Sequence, residues 1–155
     1  MSTEPATGAA TGGAYAVGWP LIDELHAECD VLLQRLAGAA DSAHVAAIDL
    51  LVQHLHEHFG AEEALMQASR YGRYDCHKRE HEAVLRVVER VRPMVEAGDH
   101  AVARRLSVEF PHWLDLHARS MDTQLAEWLV AESAPAPGSG SDSLRVADSG
   151  GRPAA

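Results

Sequence analysis

From about residue 15 to residue 132 the apolar positions recur at alternating steps of three and four, with few β-branched runs and no strict alternation. That is the period of helices with one buried face, and it predicts no strands. Four amphipathic segments follow. The first runs from Pro20 to Ala37, with proline in the first turn where its missing donor costs nothing; its inward stripe reads Ile22, His26, Cys29, Leu33, Leu36. The second starts after Asp41-Ser42, either of which could cap it, and its stripe reads Ile48, Leu51, Leu55, His58, Glu62, Leu65. The third begins near Arg73, ends around Ala97-Gly98, and reads His77, His81, Val84, Val88, Val91. The fourth starts near Asp99 and reads Leu106, Phe110, Trp113, His117, then Met121 or Asp122, Leu125, Trp128. Short connections favour antiparallel neighbours, so the expected fold is all-α, an up-down-up-down antiparallel four-helix bundle. Pro93 and Pro111 fall inside the third and fourth segments, where each is expected to kink or end its helix.

The two ends lack this pattern. Residues 1–14 are rich in Thr, Ala and Gly, and residues 133–155 form a Pro/Gly/Ser-rich tail. Neither carries enough apolar surface to offset its ordering entropy, so both are expected to be disordered around a single bundle domain at 15–132. The formal net charge of -10 argues against nucleic acid or an anionic membrane surface as partner, since both call for a basic patch. No apolar run reaches the roughly 18 residues of a membrane span, and the N-terminus lacks the basic and apolar regions of a secretory signal. With only Cys29 and Cys76 there is no disulfide framework, and the chain reads as soluble and cytoplasmic.

What breaks the stripes is chemical. Ten histidines are unusual for 155 residues, and several stand where a core would use leucine. In HLHEHFGAEE, residues 54–63, His54, His58 and Glu62 share one helix face, while His56, Glu57 and Glu63 lie off it. HKREH places His77 and His81 one turn apart, a spacing that can aim two imidazoles at one metal. The first segment adds His26, and the fourth adds His117 with Asp122. Each piece alone is a weak signal, because so many histidines produce such spacings by chance. Together, five histidines and two carboxylates at inward positions are too costly to bury without a cation. Imidazole suits iron, zinc and copper, and a carboxylate can bridge two cations; seven ligands exceed one tetrahedral zinc, so two metal ions are the economical count. His117 and Asp122 are five residues apart, about 140° on a regular helix, so either Asp122 reaches sideways or the helix carries a local π-type bulge.

The stretches VGWPLIDELH, HFGAEEALM, HKREH and WLDLHARSMD occur in the order of the hemerythrin family's helix-one His, HFxxEE, HxxxH and WxxxHxxxxD. Over about residues 15–130 the chain resembles that family, specifically its single-domain bacterial members. The resemblance implies a non-haem di-iron centre that binds dioxygen reversibly and is not an enzyme. His77, His81 and His117 would hold one iron, His26 and His58 the other, with Glu62, Asp122 and an oxo or hydroxo group bridging them. Dioxygen would take the open position on the second iron. Phe59, Trp113 and Leu114 match positions of the family's apolar oxygen pocket. Two pocket positions depart from the pattern: Cys29 and Ala118 are smaller than the usual residues, which implies a roomier pocket, faster ligand exchange and easier autoxidation. His54, where an aromatic is common, is read as packing behind the ligands and not as an eighth ligand. Cys76 is read as incidental, and His44, His100 and His112 as surface residues. The alternative is a di-iron redox enzyme, such as a peroxidase or a nitric-oxide-handling protein. A ferritin-like oxidase is disfavoured, because no Glu-x-x-His pair lies on the seam. An unknown protein partner is left open.

Overall fold

The structure is a computed structural model and describes residues 13–135. Most of the segments expected to be disordered, 1–12 and 136–155, lie outside the described residues. The helices are α1 (Pro20–Ala37), α2 (His44–Ala68), α3 (Tyr74–Glu96), α4 (His100–His117) and α5 (Thr123–Ser133). A five-residue π turn, Ala118–Asp122, joins α4 to α5, so the two form one long rod, the fourth member of a four-helix bundle. No strand occurs among the described residues.

Each helix begins and ends for a local reason. Pro20 opens α1, and the Asp23 carboxylate accepts from the backbone N–H of Val17 at 2.6 Å and of Gly18 at 3.2 Å, tying down the entering chain. Neither Asp41 nor Ser42 caps α2 as expected; a 3-10 turn, Asp41–Ala43, leads straight into it and takes over the capping. Gly98, at φ +97°, supplies the left-handed residue that stops α3, and the Asp99 carboxylate then caps α4 by accepting from Val102 N–H. Neither Pro93 nor Pro111 ends its helix. Pro93 sits in the last turn of α3, and α4 continues past Pro111, the surrounding packing outweighing one missing hydrogen bond.

Helix α1 packs on α2 and α4, and α3 packs on α2 and α4, closing a ring of four. Three contacts between α2 and α3, Asp49 with Arg92, His56 with Glu89 and Glu63 with Lys78, show this pair to be antiparallel. These pairs are exposed or half-exposed and set register more than they add stability. Stability comes from two apolar clusters. The larger contains Leu33, Ile48, Leu51, Leu55, Val88, Phe110 and Leu114; the smaller contains Ile22, Met66, Tyr71, Leu125 and Leu129. Seven polar inward residues fall between the two: His26 between Ile22 and Leu33, His58 and Glu62 between Leu55 and Met66, His77 and His81 between Tyr71 and Val88, His117 and Asp122 between Leu114 and Leu125.

The stripes hold in α1 and α3 and need correction elsewhere. In α2 the buried residue after Glu62 is Met66, with Leu65 only half-buried. Past the π turn the register is shifted, so Leu129 is buried and Trp128 is 36 % exposed, contrary to the expected stripe. Its indole N–H donates to the Ser69 carbonyl at 3.2 Å.

Leu51 is fully buried in the larger cluster, whereas Val87 is 58 % exposed on α3. Leu51→Ala is expected to cost about 2–5 kcal/mol in urea unfolding, and Val87→Ala less than about 0.5 kcal/mol. Equal losses would show that the cluster does not carry the fold.

Candidate metal centre

Five imidazoles and two carboxylates converge in the layer between the apolar clusters, each at most 4 % exposed. Helix spacing accounts for most of it. His58 and Glu62 are one turn apart on α2, and His77 and His81 one turn apart on α3. His26 enters from α1 and His117 from the last position of α4. Asp122 is brought in by the π turn, in which Thr123 N–H bonds back to the Ala118 carbonyl, five residues earlier. The Thr123 hydroxyl also donates to that carbonyl, at 2.9 Å. The wider turn resolves the open choice at this position: Asp122 is fully buried and Met121 half-buried.

Each carboxylate divides its oxygens between two groups of histidines. Glu62 Oε2 lies 3.1 Å from His81 Nε2 and 3.5 Å from His77 Nε2, while Oε1 lies 2.9 Å from His58 Nε2 and 4.0 Å from His26 Nε2. Asp122 Oδ1 lies 2.9 Å from His77 Nε2 and 3.2 Å from His117 Nε2, while Oδ2 lies 3.0 Å from His26 Nε2. Within the larger group, His117 Nε2 is 3.1 Å from His77 Nε2 and 3.2 Å from His81 Nε2. Donors bound to one ion at right angles, each at about 2.1 Å, stand about 3.0 Å apart. The observed spacings cluster around that value.

Protons do not satisfy this arrangement. Glu62 Oε2 and Asp122 Oδ1 accept no well-directed hydrogen bond, and the Nδ1 atoms of His58, His77 and His81 are also without a partner. His26 differs, because a single cation, metal or proton, would satisfy it. Its Nδ1 donates to the Tyr15 carbonyl at 2.7 Å, because a carbonyl can only accept. A neutral His26 therefore aims the lone pair of Nε2 at Asp122 Oδ2, 3.0 Å away. Two lone pairs at that distance repel unless a positive charge lies between them, either a metal cation or a proton. Burial alone would lower the His26 pKa, but Asp122 and Glu62 raise it and so favour the proton. The residues fit a pair of cations sharing two carboxylates, with five donors around one position (Glu62, His77, His81, His117, Asp122) and four around the other (His26, His58, Glu62, Asp122).

The electrostatics agree. Burial alone would raise the pKa of both carboxyls, but the imidazoles around them hold Glu62 and Asp122 well below the usual range, so both are anionic. Burial would lower His77, yet Asp122 and Glu62 beside it lift it to about 9. Burial wins at His81, whose pKa is lowered.

Aromatic rings back two histidines of the larger group. Phe59 stacks on His81 with centroids 4.0 Å apart, and Trp113 on His117 with centroids 4.6 Å apart. Leu114 and Ala118 are buried beside His117, and Cys29 is buried with its sulfur close to ring nitrogens of His54 and His58. His54 Nε2 donates to the Leu25 carbonyl at 3.1 Å, and its ring meets that of His58 edge-on. Cys76 and His112 are exposed. Two surface assignments are corrected: His44 is buried, 1 % exposed, and His100 is half-buried against it. The pattern missed them because both stand at helix starts, before a stripe is established. It also missed the Tyr15 carbonyl, a backbone group with no residue-type signal, and Glu63, whose Oε1 lies 3.6 Å from His81 Nδ1.

The model of the family described as hemerythrin HHE cation binding domain matches residues 17–129. A bacteriohemerythrin of Ralstonia nicotianae is 35% identical over 117 residues, covering 76% of this chain and 85% of that protein. A bacteriohemerythrin of Aquifex aeolicus is 30% identical over 119 residues, covering 73% of this chain and 91% of that protein. No solved structure matches. The matched span runs from before α1 into α5 and takes in all seven converging side chains: the chain belongs to the hemerythrin family, among its bacteriohemerythrins.

Proposed function

We propose that this layer holds two iron ions and binds dioxygen reversibly, as a carrier, store or sensor located in the cytoplasm. His77, His81 and His117 would hold one iron and His26 and His58 the other, with Glu62, Asp122 and an oxo or hydroxo group shared. The observation that carries the reading is the unequal donor count around two shared carboxylates, five against four. The irons would supply the electrons that dioxygen accepts on binding and returns on release.

The chain's own residues support binding over turnover. Reversibility requires that bound dioxygen receive no further protons, so water has to be kept out. Leu114, Phe59, Cys29 and Ala118 are each 2 % exposed or less, and together with half-buried Trp113 they are the residues we assign to that apolar lining. Burial pushes the Cys29 thiol up to about 12, so it stays protonated at neutral pH and is a poor nucleophile. The Tyr15 carbonyl fixes which nitrogen of His26 faces the metal, a positioning role carried by backbone.

Cycling the protein between dithionite-reduced, argon-flushed and air-exposed states checks the reading. Two irons per chain, with a visible absorption that appears in air and fades under argon without reductant, is the expected result. One-way oxidation that returns only with reductant would favour a redox enzyme, such as a peroxidase or a nitric-oxide-handling protein.

Metal uptake is also expected to release protons. With a folded pKa of about 9, His77 is charged at neutral pH in the metal-free protein and has to lose its proton to become a ligand. Affinity should therefore fall as pH drops below about 9, by about tenfold per unit for each proton displaced. Indicator-dye titration in weak buffer at pH 7 reads the release directly, and a null result there would remove His77 from the ligand set.

A further inference from the structure

At the end of the bundle where α2 and α4 begin, three further metal-ligating side chains converge. His44 is the first residue of α2, His100 the first of α4, and Asp41 opens the 3-10 turn between α1 and α2. The Nδ1 atoms of His44 and His100 face each other at 3.1 Å, and Asp41 Oδ1 lies 3.8 Å from His44 Nδ1. One ligand atom from each lies within 4.8 Å of those of the other two. His44 stands fourteen residues before His58 on the same helix, which puts the cluster about 21 Å from the central layer.

We propose that Asp41, His44 and His100 form a second metal site, independent of the central pair, that takes one zinc ion. Two nitrogens bound tetrahedrally to zinc at about 2.0–2.1 Å stand about 3.3 Å apart, close to the 3.1 Å observed. The carboxylate needs only a small swing, and its side chain is exposed. The ring of His44 is buried, so its Nδ1 is already desolvated and pointed, while Asp41 on the outer side keeps a path open to solvent. Two imidazoles and one carboxylate form a borderline-soft set that suits zinc, with a fourth position for water. In the metal-free state one ring has to donate to the other, a neutral contact that a cation improves upon.

Two features oppose the ion and limit its affinity. Arg104 Nη1 donates to Asp41 Oδ1 at 2.6 Å and competes for the carboxylate. The N-termini of α2 and α4 also turn their positive dipole ends toward the cluster. Zinc is therefore expected to bind more weakly here than at the central layer. Its consequence is mechanical: the ion would pin the α1–α2 connection to the start of α4, elements otherwise joined there by the Asp41–Arg104 pair and the His–His contact.

The test is zinc titration of the full chain as purified, with iron and zinc counted before and after. Wild type is expected to take up one zinc equivalent with its iron content unchanged. His100→Ala should lose that equivalent or bind it at least tenfold more weakly. Arg104→Ala keeps all three ligands and should bind zinc more tightly than wild type. His100 and Arg104 are not core residues, and matching thermal unfolding in chelator would show that the variants fold. The site shares no residue with the central layer, so the difference between wild type and His100→Ala isolates it whatever metal that layer holds. No uptake by wild type, uptake unaffected by His100→Ala, or zinc that merely replaces iron would overturn the proposal.

Discussion

The constraint on which the rest of this protein depends is the cost of burying charge. Seven ionisable side chains meet in a layer no more than 4 % exposed, and two of them are carboxylates held anionic there. Such a layer is tolerable only if each charge faces an opposite one and each lone pair a positive partner. Protons supply part of this, as the raised pKa of His77 shows, but they leave Glu62 Oε2 and Asp122 Oδ1 without directed partners. A pair of cations would supply the rest. Hence the fold and the metal are one problem: the apolar clusters on either side hold the layer closed, and the layer's occupant determines how costly that closure is.

The bundle meets this constraint by repetition with one exception. Steps of four residues on α2 and α3 deliver two candidate ligands from each helix with no distortion. On the fourth rod the histidine and the carboxylate are five apart, and the backbone widens into a π turn to bring them together. That adjustment turns the rod beyond it, so that Leu125 stays inward while Leu129, not Trp128, is buried in the smaller cluster. A local demand of the site has thus reset the packing of α5.

How much of this the sequence discloses depends on whether the signal is periodic. The ranges of α1 and α3, the stripes on them and the inward histidines follow from steps of three and four, and a π bulge was one of two ways to reconcile His117 with Asp122. Three kinds of feature stayed hidden. The register of α5 depended on that bulge, and so could not be read until the backbone was seen. The Tyr15 carbonyl that orients His26 is a backbone atom and leaves no mark in residue type. The pairing of His44 with His100 joins residues 56 apart at two helix starts, where burial comes from the meeting of loops and not from a helical face. The hemerythrin resemblance named the seven side chains that the structure brings together, but it said nothing of either of the last two.

The histidines, not the carboxylates, make the two candidate metal positions unequal. Glu62 and Asp122 each give one oxygen to either side, so the difference lies entirely in the histidines, three against two. The third histidine on the richer side, His117, is pressed into place by Trp113 stacked along its ring, and His81 is held in the same way by Phe59. Ring stacking fixes orientation without adding a polar group, so these two aromatics rigidify one side while keeping it dry. On the other side His26 is steered by a carbonyl and His58 is bordered by His54 and Cys29. Phe59 borders both sides, its ring 5.2 Å from that of His58 as well as stacked on His81, so the side with fewer donors differs chiefly in the small thiol of Cys29 beside it. On the proposed reading an exchangeable ligand belongs on the side with fewer donors, where a coordination position would be left free and Cys29 would leave room to admit it.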